Sequence, residues 1–430
     1  MKKMIISFLQ NRAKDVLTKF HPKIVAITGS VGKTSTRKAI TIVLSTKYKV
    51  RTAEKNFNNE IGVPLTILGM RSPGKNPFGW IKLFWKSYFI KTYPDVLVLE
   101  FGADRSGDIA KLCRLAPPEV GVVTAISPVH AEYFSDINQL ASEKGTLLLA
   151  LPPDGFSAQN ADDIIVRDLP SSAFNKKTYG TSEADIVAKD ISLETRLDDF
   201  FEPGETFATT RARIIVDGIE IGLMELKNSI GYAPVMSCLA SLCVAEAMGV
   251  SVKNALESLN SEFKPEPGRL NPLAGIKGSL IIDDSYNAAP ASMKNGVSVL
   301  REFSLSKPSN RRIAVLGSMA ELGMYSHDEH RMIGMEVARW ADLFLAVGES
   351  MTDAVAAAKE AGMGQKAVEW FATSEEAGRY LDREIKTADI VYVKGSQSSR
   401  MEKVVKDIMA RPESASILLV RQEKKWQDIT

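Results

Sequence analysis

Cysteine is scarce in this chain. Three of 430 residues, Cys113, Cys238 and Cys243, are cysteines, and their spacing makes neither a disulfide framework nor a set of metal ligands. They read as small buried hydrophobes in a reducing compartment, and the expected location is the cytoplasm. A surplus of one charge is lacking too: 54 basic against 52 acidic residues leave a net charge of +2. That excludes the basic excess of a global nucleic-acid footprint, and no nucleic-acid partner is expected. No apolar run reaches the ~20 residues that a spanning helix needs. The N-terminus (MKKMIISFLQNRAKDVLTKF) starts with lysines and a short apolar run, without the long apolar core and small-residue cleavage site of a secretory signal. Internal repeats and low-complexity tracts are missing as well.

Hydrophobic residues make up 45% and charged residues 25%, the balance of an ordinary globular protein. A chain of 430 residues exceeds the size at which one core stops growing, so two or three domains are expected. Residues 1–22 read as a basic amphipathic helix. A compact apolar run at 23–28 (KIVAIT) then leads at once into glycines and a helical stretch at 33–46. Further runs at 95–100 (DVLVLE) and 119–124 (EVGVVT) alternate with helical stretches, which predicts a mostly parallel, doubly wound sheet. Residues 185–226 differ: short β-rich runs with turn residues predict an antiparallel insertion at the sheet edge. Helices follow at about 231–248 and 251–260. A Pro/Gly-rich hinge at 264–269 (KPEPGR) marks the main boundary, giving a central domain at 23–268 and a C-terminal domain at 269–430. Beyond it the alternation restarts with SLIIDD, RRIAVLG, DLFLAVG, a weaker AVEWFA and DIVYVKG, a smaller Rossmann-like α/β unit. Residues 326–329 (SHDE) have capping-box spacing and predict a helix start.

The strand–loop–helix at 23–46 carries Gly29, Ser30, Gly32, Lys33, Thr34 and Ser35 in the run TGSVGKTS. Glycines let a backbone wrap a phosphate with its N–H groups pointing inward, and the following helix N-terminus adds its dipole. Lys33 would reach the β- and γ-phosphates and Thr34 would ligate Mg²⁺. The commoner GxxxxGK spacing places a glycine at position 27, where Ile27 stands, so the loop is a shortened variant. ATP is the expected nucleotide.

The shortened loop resembles that of the Mur ligases, the amide-forming enzymes of peptidoglycan synthesis. Five further segments resemble the MurF type within that family. They are 55–64 (KNFNNEIGVP), 283–288 (DDSYNA), 267–269 (PGR) with 315–323 (VLGSMAELG), and 393–396 (VKGS), all in family order. The resemblance implies an α/β fold, with a P-loop-type ATPase domain of mostly parallel sheet and a smaller Rossmann-like domain. It implies an enzyme that uses ATP and Mg²⁺ to turn a carboxylate into an acyl phosphate, which an amine then attacks. In this branch the amine is D-Ala-D-Ala and the carboxylate belongs to a precursor peptide. The partners expected are therefore small-molecule or peptide carboxylates and amines.

Site residues carry over position by position. Glu100 ends its strand, where a parallel sheet faces its ligand crevice, and would hold Mg²⁺. His130, in VHAEYF, matches a Mg²⁺-binding histidine. Lys144 matches the lysine that several Mur ligases carbamylate, which would make it an oxygen ligand. Asn160, Asp162 and Asp163 resemble an Asn-x-Asp-Asp turn with a structural role at the nucleotide site or no more than a structural turn. Arg269, whose fixed fork suits phosphate oxygens, Asp284 and Asn287 would contact the nucleotide. Asn58, Asn59, Lys394 and Ser396 would face substrate. His327 and His330 sit at i and i+3 with no third ligand nearby and read as helix-capping or substrate-loop structure.

The chain departs from the pattern in three places. MurF-type enzymes carry an N-terminal domain that holds the UDP-sugar; only 22 residues precede the phosphate strand here, so that domain is expected to be absent and the carboxylate acceptor is open. The adenine-side helix has Ala233 and Ser237 where the family has histidine and asparagine. Residues 75–93 (KNPFGWIKLFWKSYFIKTY) form an aromatic and basic stretch, with Ile81, Phe84, Trp85 and Tyr88 on one helical face and Lys82 and Lys86 on another. Such a helix fits peripheral contact with the inner membrane surface; the alternatives are packing on the body and a dimer partner. The competing functions are a Mur-like ligase with another carboxylate and a non-catalytic nucleotide-binding scaffold.

Overall fold

A six-residue strand, β1 (Lys23–Thr28), organises the first half of the chain. Its residues from Ile24 on are all buried, and β-branched apolar side chains facing both ways suit a strand covered on both faces. The computed structural model describes residues 2–53, 57–74, 76–127, 134, 136–196, 200–423 and 426. β1 pairs in parallel with β3 (Val96–Glu100) on one side and β4 (Val120–Val123) on the other. β2 (Val50–Thr52), β5 (Phe156–Asn160), β6 (Asn175–Gly180), β7 (Ile186–Thr195), β8 (Ala208–Val216) and β9 (Ile219–Lys227) complete a nine-stranded sheet, in the order β2-β3-β1-β4-β5-β6-β7-β8-β9. The chain leaves β1 toward β2 and leaves β4 toward β5, in opposite directions along the sheet. A crevice therefore opens at the C-terminal ends of these neighbours.

Helices cover this sheet: α1 (Lys2–Phe20), α2 (Lys33–Ser45), α3 (Gly62–Leu68), α4 (Pro77–Ser87), α5 (Asp108–Leu115), α6 (Ile137–Leu149), α7 (Ile164–Arg167), α8 (Tyr232–Ala247) and α9 (Val252–Glu262). α1 is docked by its apolar stripe: Leu9, Ala13 and Val16 are buried in one core with Val63, Ile67, Leu97, Ile109 and Leu147. α2, α8 and α9 pack together, and α8 is so apolar all round that eleven of its residues are buried. Cys238 and Cys243 lie there, and Cys113 on α5 is buried too, its thiol pushed up to about 12 chiefly by burial.

The edge insertion has two characters. β8 and β9 are joined by only Asp217 and Gly218, both with positive φ, which is the tight hairpin turn of antiparallel strands. β7, by contrast, pairs in parallel with β6.

The second sheet has six strands in the order β10-β11-β15-β12-β13-β14. They are β10 (Asn271–Ala274), β11 (Leu280–Asp284), β12 (Arg312–Gly317), β13 (Leu343–Val347), β14 (Val368–Phe371) and β15 (Ile390–Lys394). β10 runs antiparallel to β11, and β11, β15, β12, β13 and β14 are mutually parallel. Successive residues alternate between two cores: Leu280, Ile282, Ala314 and Leu316 on one face, Ile281, Ile313, Val315 and Val391 on the other. α10 (Pro290–Glu302), α11 (Ser326–Trp340), α12 (Met351–Glu360), α13 (Ser374–Glu384) and α14 (Glu402–Ile408) cover these faces. α11 begins at Ser326, but no side chain caps it, so the expected capping box is not formed.

The chain divides into two compact units. The first comprises residues 1–191, 212–224 and 232–263; the second comprises 192–211, 225–231 and 264–430. The outer parts of β7, β8 and β9 thus cluster with the second unit.

Candidate nucleotide and substrate sites

In the first unit the phosphate loop bridges β1 and α2. Gly29 has φ +147°, and a Cβ there would lie 2.0 Å from Thr124 Oγ1. Gly32, the residue before α2, has φ +85°. Both positions need glycine for physical reasons, close approach in one case and a left-handed backbone in the other. The loop is stapled to the turn after β4: Ser30 N–H donates to Ala125 O at 2.7 Å, Ser30 Oγ donates to Ser127 O at 3.0 Å, and Thr124 Oγ1 donates to Val31 O at 2.6 Å. Lys33 curls back over the loop and donates to Gly29 O at 2.6 Å and Ser30 O at 3.2 Å. Ser35 is half-buried in the first turn of α2, whose leading N–H groups have no intrahelical acceptors. The resulting concavity of amides, lysine and helix dipole is an anion cradle.

Glu100 is buried at the end of β3. Its Oε2 accepts from Thr34 Oγ1 at 3.5 Å, and its Oε1 is 2.8 Å from Arg37 Nε. Arg37 also donates to Ala53 O and, at 3.3 Å, to Thr52 Oγ1. Sequence reasoning missed Arg37, although it follows Lys33 by one helical turn and so shares its face. Lys144, on α6, is buried, and its pKa is pushed down to about 7, first by burial and next by the Lys33 charge. Glu143 and Asp104 act the other way. The two lysines thus feel each other inside the cradle. Glu143 itself accepts from Gly107 N–H at 2.7 Å and Ile109 N–H at 2.8 Å, fixing the start of α5.

Asn58 lies beside this cluster: its carbonyl accepts from Gly102 N–H at 2.8 Å, just beyond Glu100. Asn59 Oδ1 accepts from Ile61 and Gly62 N–H groups at 3.2 and 3.0 Å and starts α3. Asn160 and Asp163 are turn-builders: Asn160 Nδ2 donates to Thr124 O at 2.8 Å, and Asp163 caps α7 and accepts from Ile126 N–H at 2.7 Å. Asp162 accepts from Thr181 and, at 2.5 Å, from the Tyr232 hydroxyl at the start of α8. His130 lies outside the described residues, as do residues 55, 56, 75, 129 and 131–133 of the quoted motifs.

Among the described residues no three His, Cys, Asp or Glu side chains form a metal cage. Mg²⁺ asks for less, since it binds one or two protein oxygens and completes its shell with phosphate and water. The Thr34 hydroxyl and Glu100 carboxylate supply that donor set at the mouth of the loop, so these residues fit the ion.

The second unit gathers its own cluster at the ends of β11 and β15. Asp284 and Lys394 are register partners; Lys394 Nζ donates to Asp284 Oδ2 at 2.6 Å, and Tyr392 OH to the same oxygen at 3.0 Å. Asp283 is fully buried and accepts from Gly268 N–H at 3.1 Å and Ser285 N–H at 3.0 Å; burial is the main reason its pKa is pushed up to about 6. Arg269 stacks over the Tyr286 ring at 4.3 Å, and Arg421, unforeseen from sequence, approaches the same ring at 5.8 Å and donates to Ser285 O. Asn287 is exposed. Ser396 is buried, its Oγ 3.0 Å from both Ser398 Oγ and Ser399 Oγ. The two histidines do not converge. His327 pairs with Asp353 at 3.1 Å, whereas buried His330 accepts from Met319 N–H at 3.0 Å and is bonded to Ser326 O at 2.7 Å.

Residues 27–228 match the Mur ligase middle domain, and residues 268–397 match the Mur ligase glutamate ligase domain. The chain is 26% identical over 409 residues to the UDP-N-acetylmuramoyl-tripeptide–D-alanyl-D-alanine ligase of Bacillus subtilis, covering 95% of this chain and 80% of that protein. The enzyme of the same name from Escherichia coli is 29% identical over 392 residues, covering 89% and 76%. The crystal structure of MurF ligase from Thermotoga maritima in complex with ADP superposes with a TM-score of 0.74 at 27% identity, over 94% of this chain and 83% of that one. Two successive domain matches, relatives that span most of the chain and the phosphate loop's own geometry agree, and the chain belongs to the Mur ligase family.

Proposed function

We propose that this protein is an ATP-dependent carboxylate–amine ligase of the MurF type, adding D-Ala-D-Ala to a peptidoglycan precursor peptide. One observation carries the reading: Lys33, Thr34, Glu100 and Lys144 surround one phosphate cradle, in a chain similar over 95% of its length to a UDP-N-acetylmuramoyl-tripeptide–D-alanyl-D-alanine ligase. Forming an amide from a carboxylate in water is uphill. ATP, as substrate, drives it. A carboxylate oxygen attacks the γ-phosphorus, ADP leaves, and the dipeptide's amine then attacks the acyl carbon and sheds a proton as phosphate departs. Phosphoryl transfer asks the protein chiefly for positioning and charge neutralisation.

Gly29, Ser30, Gly32 and Ser35 would wrap the phosphates, and Lys33 would transfer its hydrogen bonds from the loop carbonyls to phosphate oxygens. Thr34 and Glu100, with His130, would hold Mg²⁺, which supplies charge neutralisation when bound; Arg37 keeps the Glu100 carboxylate aimed. Burial and the Lys33 charge push the Lys144 pKa down to about 7, and a neutral amine can add CO₂ to give a carbamate that would face Lys33 with opposite charge. Asn58 and Asn59 form the substrate-side loop of the first unit. In the second unit, Arg269, Asp284 and Asn287 are assigned to the nucleotide, and Lys394 and Ser396 to the incoming amine or acyl phosphate.

The buried free thiols and the ATP requirement suit the cytoplasm, with peripheral contact at the membrane's inner face. The test is phosphate release with ATP, UDP-N-acetylmuramoyl-tripeptide and D-Ala-D-Ala, each omitted in turn. Release is expected only when all three are present. Release with another carboxylate, and not with this one, assigns a different acceptor; no release with any acceptor, with ATP still bound, leaves a scaffold.

A further inference from the structure

Helix α4 is held on the body from one side only. Leu83 and Ser87 are buried, Phe84 packs on Phe8 of α1 with ring centroids 4.1 Å apart, and Arg12 of α1 donates to Ser87 O at 2.9 Å. Phe84 therefore faces the body and leaves the aromatic face that helical periodicity alone assigns it. The opposite side carries a stripe of large apolar side chains. Phe78 is 78% exposed, Ile81 63%, Trp85 70% and Phe89 60%. Trp85 and Phe89 meet edge to face at 5.1 Å, so the stripe is a continuous surface and not scattered side chains. Lys82 and Lys86, both exposed, border it.

Charge is distributed in the same sense. Residues 2–20 and 71–94 together contain ten basic side chains and one acidic one, Asp15. With a net charge of +2 for the whole chain, that surplus of nine leaves the other residues at a net −7. These two segments are thus basic against a net acidic remainder.

We propose that the outward face of α4 docks on an anionic lipid bilayer. The chemistry matches on both counts. Tryptophan and phenylalanine on an in-plane helix insert at the headgroup boundary, and lysines beside them reach lipid phosphates while their stems cover apolar surface. A protein partner would need an acidic groove of matching shape; a bilayer asks only for a convex apolar stripe with cations at its border. No helix among the described residues is long and apolar enough to cross a membrane, so the contact is peripheral. The inference does not rest on the ligase reading, and lipid binding and catalysis are read separately.

The test is sedimentation of the full chain with phosphatidylcholine vesicles, with and without phosphatidylglycerol, at low and high salt. Binding is expected only to the anionic vesicles, weakening as salt rises, with a blue-shifted tryptophan emission. Phe78→Glu/Trp85→Glu should lower vesicle affinity by about tenfold or more, and Lys82→Glu/Lys86→Glu should remove the preference for phosphatidylglycerol. Both pairs are solvent-exposed, so circular dichroism and ATP turnover should match wild type. Quenching of wild-type Trp85 by brominated lipid, read against Trp85→Phe, gives an answer even if a variant misfolds. Absence of wild-type binding to anionic vesicles overturns the proposal. So does unchanged binding by the aromatic variant, or self-association of the wild type that the same variant abolishes.

Discussion

At the end of β1, Lys33 and the buried Lys144 lie within each other's field, and the repulsion helps hold Lys144 near neutrality. At the end of β11 the arrangement is the reverse: Asp284 receives Lys394 at 2.6 Å and Tyr392 at 3.0 Å, so its charge is answered internally. Both clusters sit at C-terminal ends of parallel strands and both are buried. In the first, burial and the Lys33 charge oppose a charge on Lys144 while Glu143 and Asp104 favour it. The second pairs its charges with each other, and Lys394 has to give up Asp284 before either residue meets the ligand assigned to it. Burial and strand-end position therefore do not distinguish the two clusters; the balance of charge inside each does.

The sharpest way to break this comparison is to remove a charge from each side. Lys33→Met should lower the rate of phosphate release by about 10³-fold, the scale for losing a preorganised charge contact in a transition state, while the unfolding midpoint stays near wild type. Lys394→Met should act on stability as well as on turnover. It leaves Asp284 buried without its cation, and a loss of about 3 kcal/mol is expected in urea unfolding. Asp284→Asn combined with Lys394→Met should recover most of that loss. A single Lys394→Met change that costs nothing in stability but abolishes turnover would erase the difference between the two clusters.

Lys144 gives a smaller, pH-dependent effect. Its folded pKa of about 7 lies below the ordinary lysine value of 10.5, so between these pH values the unfolded chain binds a proton that the native one does not. Stability should therefore rise with pH across that window, with the full cost present below about pH 7. In CO₂-free buffer Lys144→Met should flatten this dependence and gain most over wild type at low pH. Turnover of the wild type should rise as pH passes about 7, as the amine loses its proton. The smallest effect is at Tyr232. Removing its hydroxyl from Asp162 with Tyr232→Phe should cost about 1 kcal/mol, measured by thermal unfolding, with turnover little changed.

The parts of this molecule legible in the sequence are those where chemistry restricts residue type at fixed spacing. Gly29, Gly32, Lys33 and Thr34 fall in that class, because close approach, left-handed backbone and phosphate charge each admit few residues. The strands KIVAIT, VLVLE, LIIDD and IVYVK were legible because strands buried on both faces must be apolar throughout. Pairings made by the fold were not. Arg37 meets Glu100 only because β1 and β3 are neighbours, and Lys394 meets Asp284 only because β15 lies in register with β11. β10 is four residues long and contains Pro272, which an edge strand tolerates and a sequence pattern discounts. On α4 the period gave a helix, but the docking of α1 decided that Phe84 turns inward while Trp85 stays exposed.

The most direct measurement of the central claim follows one oxygen atom. With a heavy-oxygen-labelled carboxylate acceptor, the account predicts that each phosphate released carries one labelled oxygen, because the carboxylate attacks the γ-phosphorus and that oxygen leaves with phosphate when the amine displaces it. Amide formation with unlabelled phosphate would contradict the account, since the cradle around Lys33 would then be hydrolysing ATP without activating the carboxylate.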